Sequence, residues 1–185
     1  MRRMMAIFLC LCCFVGCESK DSGLEPAIEF RSALVQAGGC SFTAAITVDY
    51  GQRVQCFTLD CQADGEGTTK ITLLQPETIA GVTATVMDGG GQITYDGMAL
   101  DFGLLADDSL IPAAAPCMLA TCWMKEYISD AGEMETGYQV RYRKKIGEKE
   151  LLLDTFFENG IPFLAEVCYN DSGILKIEIS DFAYH

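Results

Sequence analysis

Ten cysteines and a single histidine are the residues of this 185-residue chain best suited to chemistry, and their placement splits them into two groups. Cys10, Cys12, Cys13 and Cys17 crowd into C-L-C-C-F-V-G-C near the start, while Cys40, Cys56, Cys61, Cys117, Cys122 and Cys168 are spread through the remainder. Metal binding is poorly served. None of the six forms a C-x-x-C pair, and the histidine is the terminal His185, so no ligand set for a metal is predicted. Nucleophilic catalysis fares no better. The chain has no G-x-S-x-G elbow, Walker A loop or H-E-x-x-H, and a nucleophile would have only His185 as its base. The acidic pair Asp107-Asp108 precedes a helical stretch and reads as turn residues. The expectation is a protein without catalytic activity, metal or cofactor.

Disulfide chemistry is constrained by spacing. Cys56 and Cys61 are five apart in a strand-like run, which puts them on opposite faces of a sheet about 16 Å apart at ~3.3 Å per residue. Cys117 and Cys122 are five apart in a helical run and point roughly 140° from one another. Neither local pair can close without distorting its element. Any bridge must therefore be long-range, and about fifteen full pairings of six cysteines stay open. The alternative is thiols buried as small hydrophobes.

Cys17 differs from the rest because of what precedes it. Arg2 and Arg3 are followed by an apolar run from Met4 to Val15, which as a helix would span roughly 18 Å, short of the ~30 Å hydrocarbon core. It reads as the apolar region of a signal peptide. The run ends in Phe14-Val15-Gly16-Cys17, which resembles the bacterial lipobox, with Phe14 where that motif prefers Leu. The motif implies a signal peptide over residues 1–16 and a diacylglyceryl group on Cys17. Two acyl chains hold a protein on a membrane where one would let it go. The mature chain is then extracytoplasmic and anchored to the outer leaflet of the cell membrane, or to an outer membrane if there is one. Residues 17–23 form a short lipidated tether. The other reading is a secreted protein cleaved nearby, with an ordinary thiol at Cys17.

Composition narrows the partners. From Cys17 onward 11 basic residues stand against 26 acidic ones, a formal charge of −15. Such a surface excludes nucleic acid, whose phosphates need a basic face. It suits either plain solubility or a cationic ligand.

The elements that would position a site follow from periodicity. Pro26 opens a helix in which Ile28, Phe30, Leu34, Val35 and Ala37 recur until Gly38-Gly39. After it the period drops to two. Phe42, Ala44, Ile46, Val48 and Tyr50 alternate with polar residues, and the pattern repeats at Phe57, Leu59 and Cys61, at Ile71 and Leu73, and at Val82, Ala84 and Val86. Asp96-Gly97 joins two further short strands as a hairpin. A second helix is expected from Pro116 to Gly132, with Met118, Leu119, Cys122, Trp123 and Tyr127 on one side, serving as a lid over a cavity or as a plug in the hollow of a curved sheet. Strands return at Tyr138 to Tyr142, Leu151 to Phe157, Phe163 to Tyr169 and Leu175 to Ile179. The fold class is α+β: one domain over residues 24–185, a long curved antiparallel sheet of about ten strands, a half-barrel covered by an N-terminal and a mid-chain helix.

The helix, meander, helix and closing E-N-G-I-P-F-L-A-E-V-C-Y-N-D-S-G-I-L-K-I-E-I-S-D-F-A-Y-H resemble the LolA, RseB and mycobacterial lipid-carrier lipoprotein superfamily, strongest around Gly160-Ile161-Pro162 and Ile177 to Phe182. The resemblance implies an open β-barrel with a helical plug that shelters a lipid or lipoprotein acyl chain, or senses envelope stress. Two functional readings stand. One is a binder of an apolar or acyl-chain ligand in a cavity lined by Phe42, Ile46, Phe57, Leu59, Val82, Ala84, Val86 and Trp123. The other is a module whose core is filled by those side chains and which docks another envelope protein.

Overall fold

Helix α1 (Leu24–Ala37) buries Ala27, Phe30 and Leu34, one residue per turn on a single face. Ile28 and Val35, expected on that face, are exposed, because the inward stripe is centred one step further round the helix. Gly38, at φ +91°, ends the helix, and its N–H reaches the Leu34 carbonyl at 3.2 Å. The computed structural model describes residues 23–49, 53–106, 109–169 and 172–185. The signal segment 1–16, Cys17 and residues 18–22 of the tether lie outside the described residues.

Two meanders follow, one on each side of a second helix. The first comprises β1 (Gly39–Asp49), β2 (Val54–Asp64), β3 (Thr69–Gln75), β4 (Thr83–Met87), β5 (Gly90–Tyr95) and β6 (Met98–Phe102). A short ribbon, β7 (Leu105–Ala106) with β8 (Ser109–Leu110), and a 3-10 turn over Pro112–Ala114 lead into α2 (Ala115–Lys125). The second meander comprises β9 (Tyr127–Met134), β10 (Gly137–Ile146), β11 (Lys149–Glu158), β12 (Ile161–Tyr169) and β13 (Ser172–Tyr184). The two join because β1 pairs with the C-terminal β13, Ala44 opposite Ile179 and Ile46 opposite Ile177. The result is one antiparallel sheet of 11 strands in the order β6-β5-β4-β3-β2-β1-β13-β12-β11-β10-β9. Its end strands, β6 and β9, do not pair with each other, so the curl is a half-barrel.

The second helix is shorter than its sequence pattern. It stops at Lys125, Glu126 is extended, and Tyr127–Met134 forms β9 against β10. Trp123 and Tyr127 are four apart and mimic a helical stripe, but Tyr127 is exposed and, opposite Arg143, begins the ladder that pairs β9 with β10. Phe163 also departs from its expected inward position. A register shift lies beside the β11–β12 pairing, Phe156 opposite Leu164 but Phe157 opposite Pro162, and the extra residue turns Phe163 outward.

Every residue of α2 except Lys125 is buried, so the helix is a plug in the hollow, touching β2, β3 and β10. Trp123 is at its centre, fully buried, with rings of Phe30, Phe42 and Phe182 at 5.9, 5.4 and 6.0 Å and its Nε1–H donating to Thr155 Oγ1 at 3.0 Å. Arg31 of α1 ties the two helices together. Its guanidinium donates to the carbonyls of Cys122, Trp123 and Glu126 at 3.1, 2.9 and 2.7 Å, three groups that the end of α2 leaves without helical partners.

Candidate functional site

The inner face of the first meander is built in rows that cross the strands. Register places Ala44, Leu59 and Leu73 in one row, and Phe42, Cys61, Ile71, Ala84, Ile93 and Leu100 in the next. All are apolar, on the one face that strand residues two apart share, and that face is turned from water up to Ile93, beyond which Leu100 is exposed. Over Phe42 the row is covered by Trp123. Further along the same row, at Ile71, Ala84 and Ile93, the cover thins to the 3-10 turn at the N-terminal end of α2.

That thinning leaves a cavity of about 280 Å³. Its floor is Phe57 and Leu59 of β2, Ile71 and Leu73 of β3, Val82, Thr83 and Ala84 at β4, and Ile93 of β5. Its roof is Ile111, Pro112 and Ala113 from the turn before α2, and Ile79 stands at its margin, 44% exposed. Thr83 is the one polar side chain among the lining residues, and no charged group lines the cavity. Ala84 sits in the middle of the row with the smallest side chain on it, which is part of why the space exists. Chemically the cavity can hold hydrocarbon and has nothing with which to grip a polar head.

The eight residues that the sequence nominated divide evenly. Phe57, Leu59, Val82 and Ala84 are on the wall of the cavity. Phe42, Ile46, Val86 and Trp123 are in the packed core, each at most 2% exposed. Sequence reasoning did not nominate Ile71, Leu73, Thr83 and Ile93 on the strands, and it missed Ile79 and the roof, Ile111 to Ala113. Ile79 and the roof lie in or beside short 3-10 turns with no periodicity to read, although the Ile-Pro pair, with Ile111 extended, was a local signal for a break before a helix.

Around the plug the ionisable groups are structural. Lys144 of β10 is buried and its Nζ bonds Glu126 at 2.7 Å and Asp88, in the β4–β5 turn, at 3.0 Å. Burial alone would lower its pKa, but the hydrogen bonds to Glu126 and Asp88 hold it above the ordinary value. Because β4 and β10 are far apart in the sheet order, this ion group ties the two halves of the half-barrel together. Cys40, Cys61, Cys117 and Cys122 are buried thiols and Cys56 is exposed, none of the five in a disulfide. Burial pushes the Cys40 thiol up to about 12 and raises Cys61 and Cys122 as well, so these are inert groups and not nucleophiles. Among the described residues no group of His, Cys, Asp and Glu could hold a metal ion, and no helix is long and apolar enough to cross a membrane.

No family model and no curated protein matches the chain. Solved structures do. A domain named for outer membrane lipoprotein sorting from Vibrio parahaemolyticus superposes with a TM-score of 0.51 at 9% identity, covering 90% of this chain and 94% of that one. A LolA superfamily protein from Nitrosomonas europaea gives 0.49 at 8% identity over 86% and 93% of the two chains, and the Mycobacterium tuberculosis lipoprotein LppX gives 0.38 at 8% identity over 85% and 95%. At these identities the likeness is one of fold. At that level the resemblance read from the sequence holds: the chain shares the fold of the lipoprotein-sorting domain, here an open half-barrel with a helical plug in its hollow.

Proposed function

We propose that the protein is an extracytoplasmic lipoprotein without catalytic activity, anchored through Cys17, that shelters a single acyl chain as a carrier or envelope sensor. The observation that supports this most directly is the cavity of about 280 Å³ with an almost wholly apolar lining. The likeness in fold to a lipoprotein-sorting domain agrees with it.

Volume sets the size of the ligand. An engineered cavity of about 150 Å³ holds benzene, which is roughly 25 Å³ per carbon, so 280 Å³ accepts about eleven carbons. At ~0.8 kcal/mol per methylene their transfer supplies about 9 kcal/mol. Association costs at least ~4 kcal/mol of that. The remainder, about 5 kcal/mol, corresponds to a Kd of roughly 0.2 mM for a single medium chain. A two-chain lipid would leave one chain outside, and a head group would stay in solvent at the Ile79 margin.

Native mass spectrometry of the full chain, purified without detergent exchange, tests the proposal. The expected result is a co-purified adduct with the mass of a fatty acid or a lipid. An adduct-free protein that also shows no saturable binding of dodecanoate would leave the filled-core interaction module ahead. That reading draws on the other half of the nominated set, since Phe42, Ile46, Val86 and Trp123 do fill the hollow.

A further inference from the structure

The two edges of the 11-stranded sheet are treated differently. At β9 the chain protects itself: Gly23, just before α1, lies against the backbone of Ala131 and Gly132 so closely that an added Cβ would sit 2.7 Å from the Gly132 nitrogen. The β9–β10 pairing also carries a register shift, and β9 holds Asp130 and Glu133. These are the usual devices against unwanted strand pairing. At β6 the cover and the register shift are missing, and Asp101 is the strand's one charge. Met-Ala-Leu-Asp-Phe pairs with β5 in unbroken register, with no proline, lysine or bulge, and it ends the sheet among the described residues.

Register tells which groups this edge offers. Asp96 at φ +48° and Gly97 at φ +76° form a two-residue hairpin turn with both central residues left-handed. In such a hairpin the closing pair, Tyr95 with Met98, is hydrogen-bonded, and the bonding alternates from there. Met98, Leu100 and Phe102 therefore spend their backbone groups on β5. Ala99 and Asp101 direct theirs outward. On the inner face Met98 and Leu100 are 69% and 68% exposed, and Leu100 is opposite Ile93 of the cavity wall. On the outer face Asp101 is held by Gln92 Nε2 at 2.8 Å and is the charge nearest the edge.

The geometry points to β6 as a docking edge for an extended segment of another protein, one with apolar residues at alternate positions and a basic residue to meet Asp101. It would add a twelfth strand, bonding Ala99 and Asp101 and covering Met98 and Leu100. Charge selects this occupant over a second copy, because each copy carries 26 acidic and 13 basic residues. So does size, since a five-residue strand offers far less than the ~1,200 Å² that a stable association of globular partners buries. The inference is independent of what fills the cavity.

Selection from a display library of random decapeptides tests it, with the intact protein as bait. Enriched peptides should alternate apolar and polar positions and carry Lys or Arg among the polar ones. Ala99→Pro removes an outward N–H without touching the β5 ladder, so it should leave the melting temperature unchanged and weaken the selected peptides about threefold to tenfold, the scale of one lost backbone hydrogen bond. Asp101→Lys provides a second reading that does not depend on the proline being tolerated: it should turn the preference towards acidic peptides. Absence of enrichment, equal binding to Ala99→Pro, or a preference indifferent to Asp101→Lys would overturn the proposal. So would a dimer in sedimentation that Ala99→Pro dissociates, which would give the edge to a second copy.

Discussion

Replacing Ala84 by phenylalanine separates a cavity kept for a ligand from a packing defect. Ala84 is 6% exposed, on the cavity wall, with Ile71 opposite on one side and Ile93 on the other. A phenyl ring is about the size of the benzene that fills a ~150 Å³ void, so it would take roughly half of the 280 Å³. Burying it is worth about 2 kcal/mol, less ~0.5 kcal/mol for the lost rotamers. A gain of roughly 1.5 kcal/mol should raise the melting temperature by about 3–6 °C for a domain of this length. The same ring displaces about half the carbons of a bound chain, some 4 kcal/mol of transfer energy, so dodecanoate affinity should fall about a thousandfold. Thermal melts with and without dodecanoate read both effects: the wild type should melt higher with lipid, and the variant should start higher and not respond. A variant that is destabilised by a kilocalorie or more would mean that the space cannot accept a side chain. A variant that binds dodecanoate as the wild type does would refute the placement of the ligand.

Other perturbations address the plug and the anchor. Arg31→Lys should cost about 2 kcal/mol in chemical denaturation, because one ammonium cannot span the carbonyls of Cys122, Trp123 and Glu126 that the guanidinium fork satisfies; equal stability of the variant would show that water replaces the fork. Raising the pH should destabilise the fold. The Cys40 thiol moves from an ordinary 9.0 to about 12 on burial and Tyr138 from 10.0 to about 12, so the stability their neutral forms contribute is complete below pH 9 and is lost as pH climbs towards 12, at up to about 1.4 kcal/mol per pH unit per group. Denaturation curves at pH 8 to 11 that superimpose would contradict this. Cys17→Ser should move the protein from the detergent phase to the aqueous phase on phase separation and leave the signal segment attached; unchanged partition would remove the lipid from Cys17.

The strands were legible because their inner and outer faces differ so sharply in polarity. Tyr138, Val140 and Tyr142 alternate in sequence and are all buried in β10, and Asp96-Gly97 makes the hairpin its dipeptide signals. What failed was local periodicity read without tertiary partners. Tyr127 fell at a helical interval from Trp123, yet it belongs to β9, where pairing with Arg143 outweighs helix propensity. Phe163 alternates correctly with Ala165 and Val167, but no alternation rule sees a register shift in advance. The site was half legible for a related reason. Inner-face positions are visible in sequence, whereas the choice between cavity and core depends on where α2 lies. Trp123 covers Phe42, and the helix begins too late to cover Ala84.

The placement of α2 also bears on how the cavity is controlled. The aromatic cluster of Phe30, Phe42, Trp123, Phe157 and Phe182 and the Arg31 fork knit both helices to β1, β11 and β13, a region dense in apolar contact. The β4–β6 wing has much less beneath it. β4 buries Ala84 and Val86, whose carbonyl accepts from the Cys117 thiol, whereas β5 and β6 give the core only the half-buried Ile93 and Phe102, and the Asp88 bridge to Lys144 ties the wing to β10. Elements with few buried contacts open at lower free energy than the cores they flank. The cavity thus has one firm wall, β2 and β3, and one soft wall, β4 and β5, and the soft wall is the one that leads to the unprotected edge at β6. A chain entering between Ala84 and the Ile111 to Ala113 roof would press on the same three strands that a docking segment extends. A chain in the cavity and a segment on β6 would then be coupled through the stiffness of a single small wing, with no path across the packed half of the molecule required.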